Sequence, residues 1–278
     1  MEVNPLPVQI NPHLADTAAR PAKNDSRANL LKRRVDTLPP DLSRIRSPQS
    51  VYLVLRCLAD RLAALALFLA AAPVIAVSAL LVKLTSRGPA FYTQTRIGLR
   101  GRLFTIYKIR TMIHNCESLT GPRWSMPGDP RVTRLGRFLR ATHLDELPQL
   151  INVLRGDMCL IGPRPERPEF LPELHRELPH YVDRLGVRPG VTGLAQIQLP
   201  ADTDLDSVRR KLAYDLYYIH HVGLWLDVRI LICTAFYAMG VPYRALRELF
   251  RIPDSEIVER HVQVALATTP APRQRLSA

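Results

Sequence analysis

Residues 62–82 read LAALALFLAAAPVIAVSALLV, a run of 21 residues without a charged side chain. A helix that crosses a bilayer needs about 20 such residues, so the length of this run predicts a membrane helix. Pro73 lies near its middle, where it removes one helical hydrogen bond and favours a kink or a break. Basic residues flank the run on both sides: Arg56, Arg61, Lys83 and Arg87.

These flanks bear on how the helix lies in the membrane. Lys and Arg favour the cytoplasmic side, so a straight span would leave one basic flank on the opposite side. A helix that enters, bends at Pro73 and returns keeps both flanks on one side, although its broken backbone then needs polar partners within the protein. The residues alone favour a kinked span and a re-entrant helix equally. A buried core helix is less favoured, because the uncharged run is long enough to cross a membrane.

The overall charge points to an anionic partner. The chain has 278 residues, with 38 Lys+Arg against 25 Asp+Glu and a net charge of +13. Lipid headgroups, phosphorylated substrates and nucleic acid would all fit such a charge. Between Lys83 and Arg140 there are 12 basic residues and 2 acidic ones, so this stretch carries +10 of the +13. No helix-turn-helix or zinc-binding pattern supports nucleic-acid binding.

Composition narrows the class of protein further. A hydrophobic content of 47% is too high for a mostly disordered chain and is sufficient for a real core. The four cysteines form no CxxC pair and are widely spaced, which predicts reduced thiols rather than a zinc site or a disulfide framework. Residues 1–50 lack an apolar run long enough for a secretory signal.

Two short runs after the apolar segment, PAFYTQTRIG (89–98) and LFTIYKIRTM (103–112), are typical of strands. On the second strand, Lys108 and Arg110 would share one face and clamp a diphosphate, although a solvated basic face fits the pattern at least as well. Farther along, residues 147–154 have apolar positions at helical spacing, and Gly156 fits a C-terminal cap. Residues 205–223 and 230–243 predict an amphipathic helix and a core or interfacial helix.

Adjacent carboxylates at Asp145 and Glu146 form the first candidate site. One could attack phosphorus while the other holds Mg²⁺. For an isolated pair, an acidic helix start capped by Thr142 is the more favoured interpretation. Because Pro148 would then fall inside the helix, the helix could instead begin at Pro148 with both acids just ahead of it.

Other motifs are weaker when taken singly. In Gly162-Pro163-Arg164-Pro165, two prolines fix the backbone around one guanidinium suited to phosphate, although a surface turn has the same pattern. Residues 188–193 (RPGVTG) are interpreted as a rigid turn. His220 and His221 have no further ligands at metal spacing and are interpreted as surface or interface histidines.

Together these motifs resemble the bacterial sugar transferases, or monotopic phosphoglycosyl transferases. The matching stretches lie in family order between about residues 51 and 240: GPAFYTQTRIG, FTIYKIRTM, DPRVTRLGRFLRATHLDELPQLINVLRGDMCLIGPRP, VRPGVTGLAQ and KLAYDLYYIHHVGLWLDVRILICTAF. The resemblance implies transfer of a sugar-1-phosphate from a nucleotide diphosphate sugar, with a UDP-sugar expected, to polyprenyl (undecaprenyl) phosphate. UMP would be released, Mg²⁺ would be the cofactor, and polysaccharide or glycan synthesis would begin.

The resemblance also implies roles for particular residues. Asp145 would be the nucleophile that forms a phosphosugar-aspartyl intermediate, and Glu146 would bind Mg²⁺ or assist Asp145, with both carboxylates expected as metal ligands. The expected phosphate- and substrate-binding residues are Lys108, Arg110, Arg164 and Asp215, the last with its role left open.

The implied fold is α+β and mostly helical, with an N-terminal re-entrant membrane helix broken at Pro73 and both ends cytoplasmic. A small cytoplasmic catalytic domain with amphipathic interfacial helices would follow, on the inner membrane of a bacterium. The predicted segments are a flexible basic arm (1–50), a membrane-inserted element (51–87), a catalytic domain (88–245) and a C-terminal helix with a disordered tail (246–278). Besides donor and acceptor, membrane lipids are expected partners and nucleic acid is not; a homodimer is left open.

The alternative is a non-catalytic basic scaffold that binds anionic lipid, which leaves the acidic pair unexplained. Two departures from the family pattern stand out. Ala72 replaces the serine that often precedes the proline, so the backbone at a break would depend on other groups. Residues 198–200 (QLP) replace a frequent Asn-Gly-Arg, so donor recognition through that arginine is absent.

Overall fold

A computed structural model of the chain describes residues 51–117, 121, 123–126, 128–178, 180–241 and 243–268. The predicted arm over 1–50 and the end of the predicted tail lie outside the described residues. Within them the protein is mostly helical with two small sheets, as the sequence predicted. The helices are α1 Val51–Thr85, α2 Arg134–Ala141, α3 Leu150–Arg155, α4 Leu171–Glu177, α5 Leu194–Gln198, α6 Leu205–His221, α7 Leu224–Ala238, α8 Tyr243–Phe250 and α9 Ser255–Thr268. The 3₁₀ segments are Leu99–Gly101, Leu144–Gln149 and Tyr181–Gly186.

Helix α1 is 35 residues long and contains the apolar run. At 1.5 Å per residue it spans about 52 Å, and it is long and apolar enough to cross a membrane. It continues through Pro73, so the predicted break is not seen as an interruption of the helix. The ring nitrogen of Pro73 carries no hydrogen, which leaves the helix without one internal hydrogen bond at this point.

Both ends of α1 contact the same body of protein. Near its start, the Arg56 guanidinium donates to the Tyr218 hydroxyl (2.8 Å) and to the Ile161 carbonyl. Just beyond its last turn, Ser86 accepts from the Arg110 guanidinium through its carbonyl and its hydroxyl. The buried residues of α1 recur every three to four positions or multiples of that: Arg56, Asp60, Ala64, Ile75, Ser78 and Val82. One face of α1 is therefore part of the folded domain.

The opposite face of α1 is apolar and exposed. Its large exposed side chains include Leu58, Leu62, Leu65, Leu69, Val77, Leu80, Leu81 and Leu84. Soluble proteins rarely expose a contiguous apolar surface of this extent. Such a surface marks a site of contact with a membrane or with another protein. Further exposed apolar side chains lie on α2, α7 and α8: Phe138, Leu224, Trp225, Leu231, Phe236 and Leu249.

The two predicted strands are confirmed as β1, Phe91–Ile97, and β2, Leu103–Ile109. They pair antiparallel, with Tyr92 opposite Lys108. The buried Asn152 of α3 ties this hairpin to the helix: its amide nitrogen donates to the Thr105 carbonyl (2.7 Å), and its amide oxygen accepts from the Tyr107 N–H (3.2 Å). Lys108 is thereby held beside the segment that leads into α3.

The second sheet corrects one interpretation from the sequence. β3, Cys159–Ile161, pairs parallel with β4, Gly190–Thr192, so residues 190–192 form a strand rather than part of a turn. The backbones approach so closely that a Cβ on Gly190 would lie 2.0 Å from the Gly162 nitrogen. This close approach requires glycine at position 190. The composition of the segment is typical of a turn and does not reveal that requirement.

The predicted helical features around the acidic pair are largely present. Thr133 caps α2 by accepting from the Gly136 N–H (2.9 Å), and Gly156 ends α3 with a φ of 81°. Thr142 ends α2 and does not cap the next element, so the capping interpretation is wrong. The α-helix begins at Leu150, after Pro148, and the two acids lie ahead of it in the 3₁₀ segment Leu144–Gln149.

Three hydrophobic clusters hold these elements together. The largest contains the fully buried Ala64 of α1 together with Ile161, Tyr218 and Ile230. A second surrounds α4 and the inner face of α6, and a third joins Val82 of α1 to β2 and α2. Helix α1 thus contributes to the core through both of its halves. These contacts fix its position relative to the 3₁₀ segment Leu144–Gln149.

Candidate active site

Three elements bring charged side chains together at one point. Lys108 lies near the end of β2, Asp145 and Glu146 lie in the 3₁₀ segment, and Arg164 lies in the loop after β3. The chain turns sharply before the two acids at His143, which has a φ of 56°. The sequence places these four residues in separate motifs, and the fold joins them.

Glu146 is the centre of this cluster. Its Oε1 lies 2.7 Å from the Lys108 Nζ and 2.6 Å from the Arg164 Nη2, and its Oε2 lies 3.4 Å from the Arg164 Nη1. Burial alone would raise the pKa of Glu146, but Arg164 and Lys108 outweigh it and hold the pKa well below the usual range. Glu146 is therefore ionised, and its charge is offset by two cations.

Asp145 has a different environment from its neighbour. Its side chain is buried, and within the described residues no hydrogen bond or ion pair joins its carboxylate to another group. Burial, and then the charge of Glu146, raise the pKa of Asp145, while Lys108, Arg140 and Arg164 lower it in part. Two adjacent carboxyl groups with pKa values moved in opposite directions are typical of sites that assign them different chemical roles.

The loop that carries Arg164 is fixed from behind. The Arg184 Nη2 donates to the Arg164 carbonyl (2.8 Å), and the Arg96 Nη1 donates to the Pro165 carbonyl (2.9 Å). The Gly162 N–H donates to the Thr192 carbonyl of β4 (2.9 Å). With prolines on both sides, the guanidinium is held in one orientation at little further entropic cost.

Asp215 lies behind this loop, away from the acidic pair. Its Oδ2 is 2.7 Å from the Arg184 Nη2, the same nitrogen that reaches the Arg164 carbonyl. Burial raises the pKa of Asp215 to about 6, against the opposing effect of Arg184. The structure therefore connects Asp215 to the site through Arg184, as a positioning residue.

Arg110 is not brought to the acidic pair. The backbone pairing of the hairpin reaches Arg110, whose N–H donates to the Ala90 carbonyl (2.9 Å) one residue beyond β2. The Arg110 guanidinium donates to the Ser86 and Arg87 carbonyls beyond the end of α1. In this arrangement Arg110 holds α1 against the hairpin, and the predicted clamp with Lys108 is not formed.

Two arginines near the site escaped the sequence reasoning. Arg140, in the last turn of α2, lowers the pKa of Asp145 through its charge, and its Nε donates to the Thr111 hydroxyl (2.8 Å). Its place five residues before Asp145, at the end of a basic helix, is the signal that could have revealed it. Arg184 carries no such signal, because its role depends on a contact with a loop 20 residues away.

The donor set can be tested for Mg²⁺. Within the described residues there is no group of three or more His, Cys, Asp or Glu side chains that could enclose a metal. Two adjacent hard oxygen ligands do suit a cation shared with substrate phosphates, as Mg²⁺ commonly is. Glu146 offers Oε2, whose contact with Arg164 is long at 3.4 Å, and Asp145 offers an unbonded carboxylate. The residues fit an open, substrate-completed site.

A helix long and apolar enough to cross a membrane is joined here to a domain with a carboxylate pair among arginines and a lysine, an arrangement suited to binding phosphate. The chain belongs to the bacterial sugar transferase family, whose sequence profile matches residues 51–240.

Curated relatives support the same grouping. The chain is 43% identical over 187 residues to a UDP-N-acetylgalactosamine-undecaprenyl-phosphate N-acetylgalactosaminephosphotransferase of Aeromonas hydrophila. The aligned region covers 67% of this chain and 44% of the relative. It is 46% identical over 165 residues to a UDP-glucose:undecaprenyl-phosphate glucose-1-phosphate transferase of Caulobacter vibrioides, covering 59% of this chain and 61% of the relative. With the exopolysaccharide production protein PSS of Rhizobium leguminosarum bv. phaseoli, identity is 40% over 66% of this chain and 94% of the relative. The chain thus spans less than two thirds of the first two relatives and nearly all of the third.

Proposed function

We propose that this protein transfers a sugar-1-phosphate from a UDP-sugar to undecaprenyl phosphate, releasing UMP and starting the assembly of a glycan. The observation that carries the proposal is the division of the acidic pair. Glu146 is bound by Lys108 and Arg164, while Asp145 is buried beside them with an unbonded carboxylate. The names of the relatives supply the donor and the acceptor.

The first step is attack by Asp145. A carboxylate oxygen of Asp145 forms a bond to the β-phosphorus of the donor, and the bond from that phosphorus to the bridging oxygen breaks. UMP leaves with the bridging oxygen, and the sugar phosphate stays on Asp145 as an acyl phosphate. Burial removes water from the carboxylate before it reacts and raises its pKa, while the nearby cations lower the pKa in part.

The second step releases the product. An oxygen of undecaprenyl phosphate attacks the same phosphorus, and the Asp145 carboxylate is the leaving group, which restores the free side chain. The product is an undecaprenyl diphosphate sugar. Because the two steps are separate, the soluble nucleotide and the apolar acceptor need not occupy the site together.

Lys108 and Arg164 would offset the charge of the phosphates. Both already converge on Glu146, so a diphosphate can bind at the open side of their positive groups without moving the loop. Glu146 holds them in place, and its Oε2, with Asp145, would hold Mg²⁺. The cation would supply further neutralisation of the diphosphate.

We also propose that α1 is re-entrant, with both ends and the domain on the cytoplasmic face of the inner membrane. Arg56 and Ser86, at opposite ends of the apolar run, contact the same domain. A straight span would separate these ends by the thickness of the membrane. The basic flanks favour one side, and Pro73 supplies a weak point at which the helix can bend in lipid.

A donor panel tests the reaction. The purified chain in nanodiscs would receive undecaprenyl phosphate, Mg²⁺ and one nucleotide sugar at a time, with UMP release as the measurement. A UDP-sugar should give UMP and a lipid-linked diphosphate sugar. With donor alone, wild type should release at most one UMP per chain and gain the mass of one phosphosugar. Turnover by Asp145→Asn would refute the covalent route.

Labelling tests the topology. Single cysteines placed at position 49 and at the exposed position 85 of a cysteine-free chain, in inside-out and right-side-out vesicles, would be offered an impermeant maleimide. Re-entry requires that both positions react in the inside-out vesicles only. Reaction of one position in each preparation would show a span.

A further inference from the structure

Two of the four cysteines meet although the chain separates them by about a hundred residues. Cys57 lies on α1 and Cys159 is the first residue of β3, and their side chains are neighbours. Both are free cysteines in this structure. The wide spacing of the cysteines predicted reduced thiols rather than a disulfide framework, and the fold brings this pair together.

The contact is fixed by neighbouring hydrogen bonds. On the same turn of α1, Arg56 donates to the Ile161 carbonyl, and the Asp60 Oδ2 accepts from the Leu160 N–H (3.2 Å). Helix α1 and β3 are thus joined before and after Cys57 on the helix, and directly after Cys159 on the strand. These side-chain contacts with the backbone of β3 hold the turn of α1 that carries Cys57 against the strand that begins at Cys159.

Arg188 adds a positive charge at the same point. Its Nη1 donates to the Cys57 sulfur (2.7 Å), and its Nε donates to the Gly156 carbonyl (3.0 Å), which orients the guanidinium. This contact places a positive charge against the Cys57 sulfur, which favours its thiolate form. The neighbouring Cys57 thiol, and then burial, raise the pKa of Cys159.

This environment is typical of a reactive thiol and its partner. A thiolate stabilised by arginine, only partly buried and beside a second thiol, is the arrangement that favours oxidation to a disulfide. The other two cysteines differ: Cys233 is fully buried in α7, and Cys116 lies near the Met112 sulfur at 3.9 Å.

We propose that Cys57 and Cys159 form a reversible redox site, at which a peroxide oxidises the two thiols to a disulfide that joins α1 to β3. The Cys57 thiolate attacks one oxygen of hydrogen peroxide, breaks the O–O bond and becomes a sulfenic acid, with hydroxide leaving and taking up a proton. The Cys159 sulfur then attacks the Cys57 sulfur, and the sulfenic oxygen leaves as water with the Cys159 proton. Two thiols and one hydrogen peroxide give one disulfide and two waters.

The disulfide would act on the position of the catalytic loop. β3 leads through Gly162 to Arg164, and α1 carries the apolar surface. A covalent bond between them would tie the strand that precedes the arginine to the membrane helix. The site is separate from the acidic pair and does not depend on the proposed transfer reaction.

Peptide mapping of the wild-type chain is the primary test. The full-length protein in nanodiscs would be treated with hydrogen peroxide at pH 7, alkylated and digested. We expect two of the four thiols to be lost, a mass decrease of two hydrogens, and one crosslinked peptide pair containing Cys57 and Cys159. Dithiothreitol should restore all four thiols.

Variants sharpen the test. Cys57→Ser and Cys159→Ser should each abolish the crosslink, while Cys116→Ser should leave it unchanged. Arg188→Gln should slow loss of the Cys57 thiol several-fold at pH 7, because a smaller fraction is thiolate. Since wild-type mapping requires no variant, misfolding of Cys159→Ser would not remove the test. Four alkylatable thiols after oxidation, or a Cys57 sulfinic acid without a crosslink, would overturn the proposal.

Discussion

Replacing Gly193 with alanine would place a methyl carbon 2.1 Å from the Gly162 carbonyl oxygen. Gly193 precedes α5, and Gly162 immediately precedes the Pro163-Arg164-Pro165 loop. The φ of Gly193 is −174°, an extended conformation that alanine adopts freely. The whole effect of the substitution is therefore steric, and it acts on the backbone that carries Arg164.

The size of the effect follows from this distance. Ordinary contact begins at 3.4 Å, so the two backbones must separate by roughly 1 Å. Overpacking of this kind costs about 1–3 kcal/mol, which for a domain of this size lowers the melting temperature by about 2–12 °C. A displacement of about 1 Å at a reacting group reduces the rate by up to about 100-fold.

Initial rates of UMP release and thermal unfolding in nanodiscs would measure both effects. Gly223→Ala is the matched control, because a Cβ on Gly223 would meet only the His221 carbonyl oxygen at 3.8 Å. We expect Gly193→Ala to lose at least tenfold in kcat/KM at a temperature where it is fully folded, and Gly223→Ala to resemble wild type.

Two results would refute the reasoning. If Gly193→Ala keeps its rate within twofold of wild type, the position of Gly162 does not control Arg164. If Gly223→Ala loses as much activity as Gly193→Ala, the cause is a general sensitivity to alanine and not the contact with Gly162.

Three further predictions concern the acidic pair and the membrane surface. Asp145→Asn should abolish UMP release and retain binding to vesicles, while Asp206→Asn, on the exposed side of α6, should leave the rate unchanged. Because the pKa of Asp145 is raised and the nucleophile must be ionised, the rate should fall on acidification at a higher pH than an ordinary aspartate predicts. Glu146→Gln removes the neighbouring negative charge, so the acid limb of the pH–rate profile should move to lower pH for the activity that remains. An acid limb that stays at the same pH or moves to higher pH would contradict this. Trp225→Ala removes an indole that is 75% exposed and should weaken binding to anionic vesicles about tenfold in a sedimentation assay; unchanged binding would exclude contact of α7 with lipid.

Local patterns predicted the elements that local physics determines. The strands at 89–98 and 103–112, the C-terminal cap at Gly156 and the long amphipathic helix α6 follow from alternation, helical spacing and capping. The strand at residues 190–192 was missed because its composition is that of a turn. Only the parallel pairing with β3, across 30 residues, makes it a strand.

The candidate site was predicted in its members and not in its arrangement. The motifs identified four members of the site: Lys108, Asp145, Glu146 and Arg164. The pairing of both cations with Glu146, and not with Asp145, depends on where β2 meets the loop after β3. Arg110 was expected beside Lys108, but its guanidinium donates to the Ser86 and Arg87 carbonyls, 24 and 23 residues away in sequence. Contacts of this kind lie outside what spacing along a chain can predict.

The burial of Ala64 and Val82 has a consequence for making a water-soluble version of this protein. Ala64 is 0% exposed in the largest cluster, and Val82 is 2% exposed in another. Cutting the chain after Lys83 would remove these groups and leave their partners open to water, so truncation yields an incomplete domain. A soluble redesign has to keep the inward residues of α1 and replace its outward leucines with polar side chains, because one face of this helix belongs to the core of the domain.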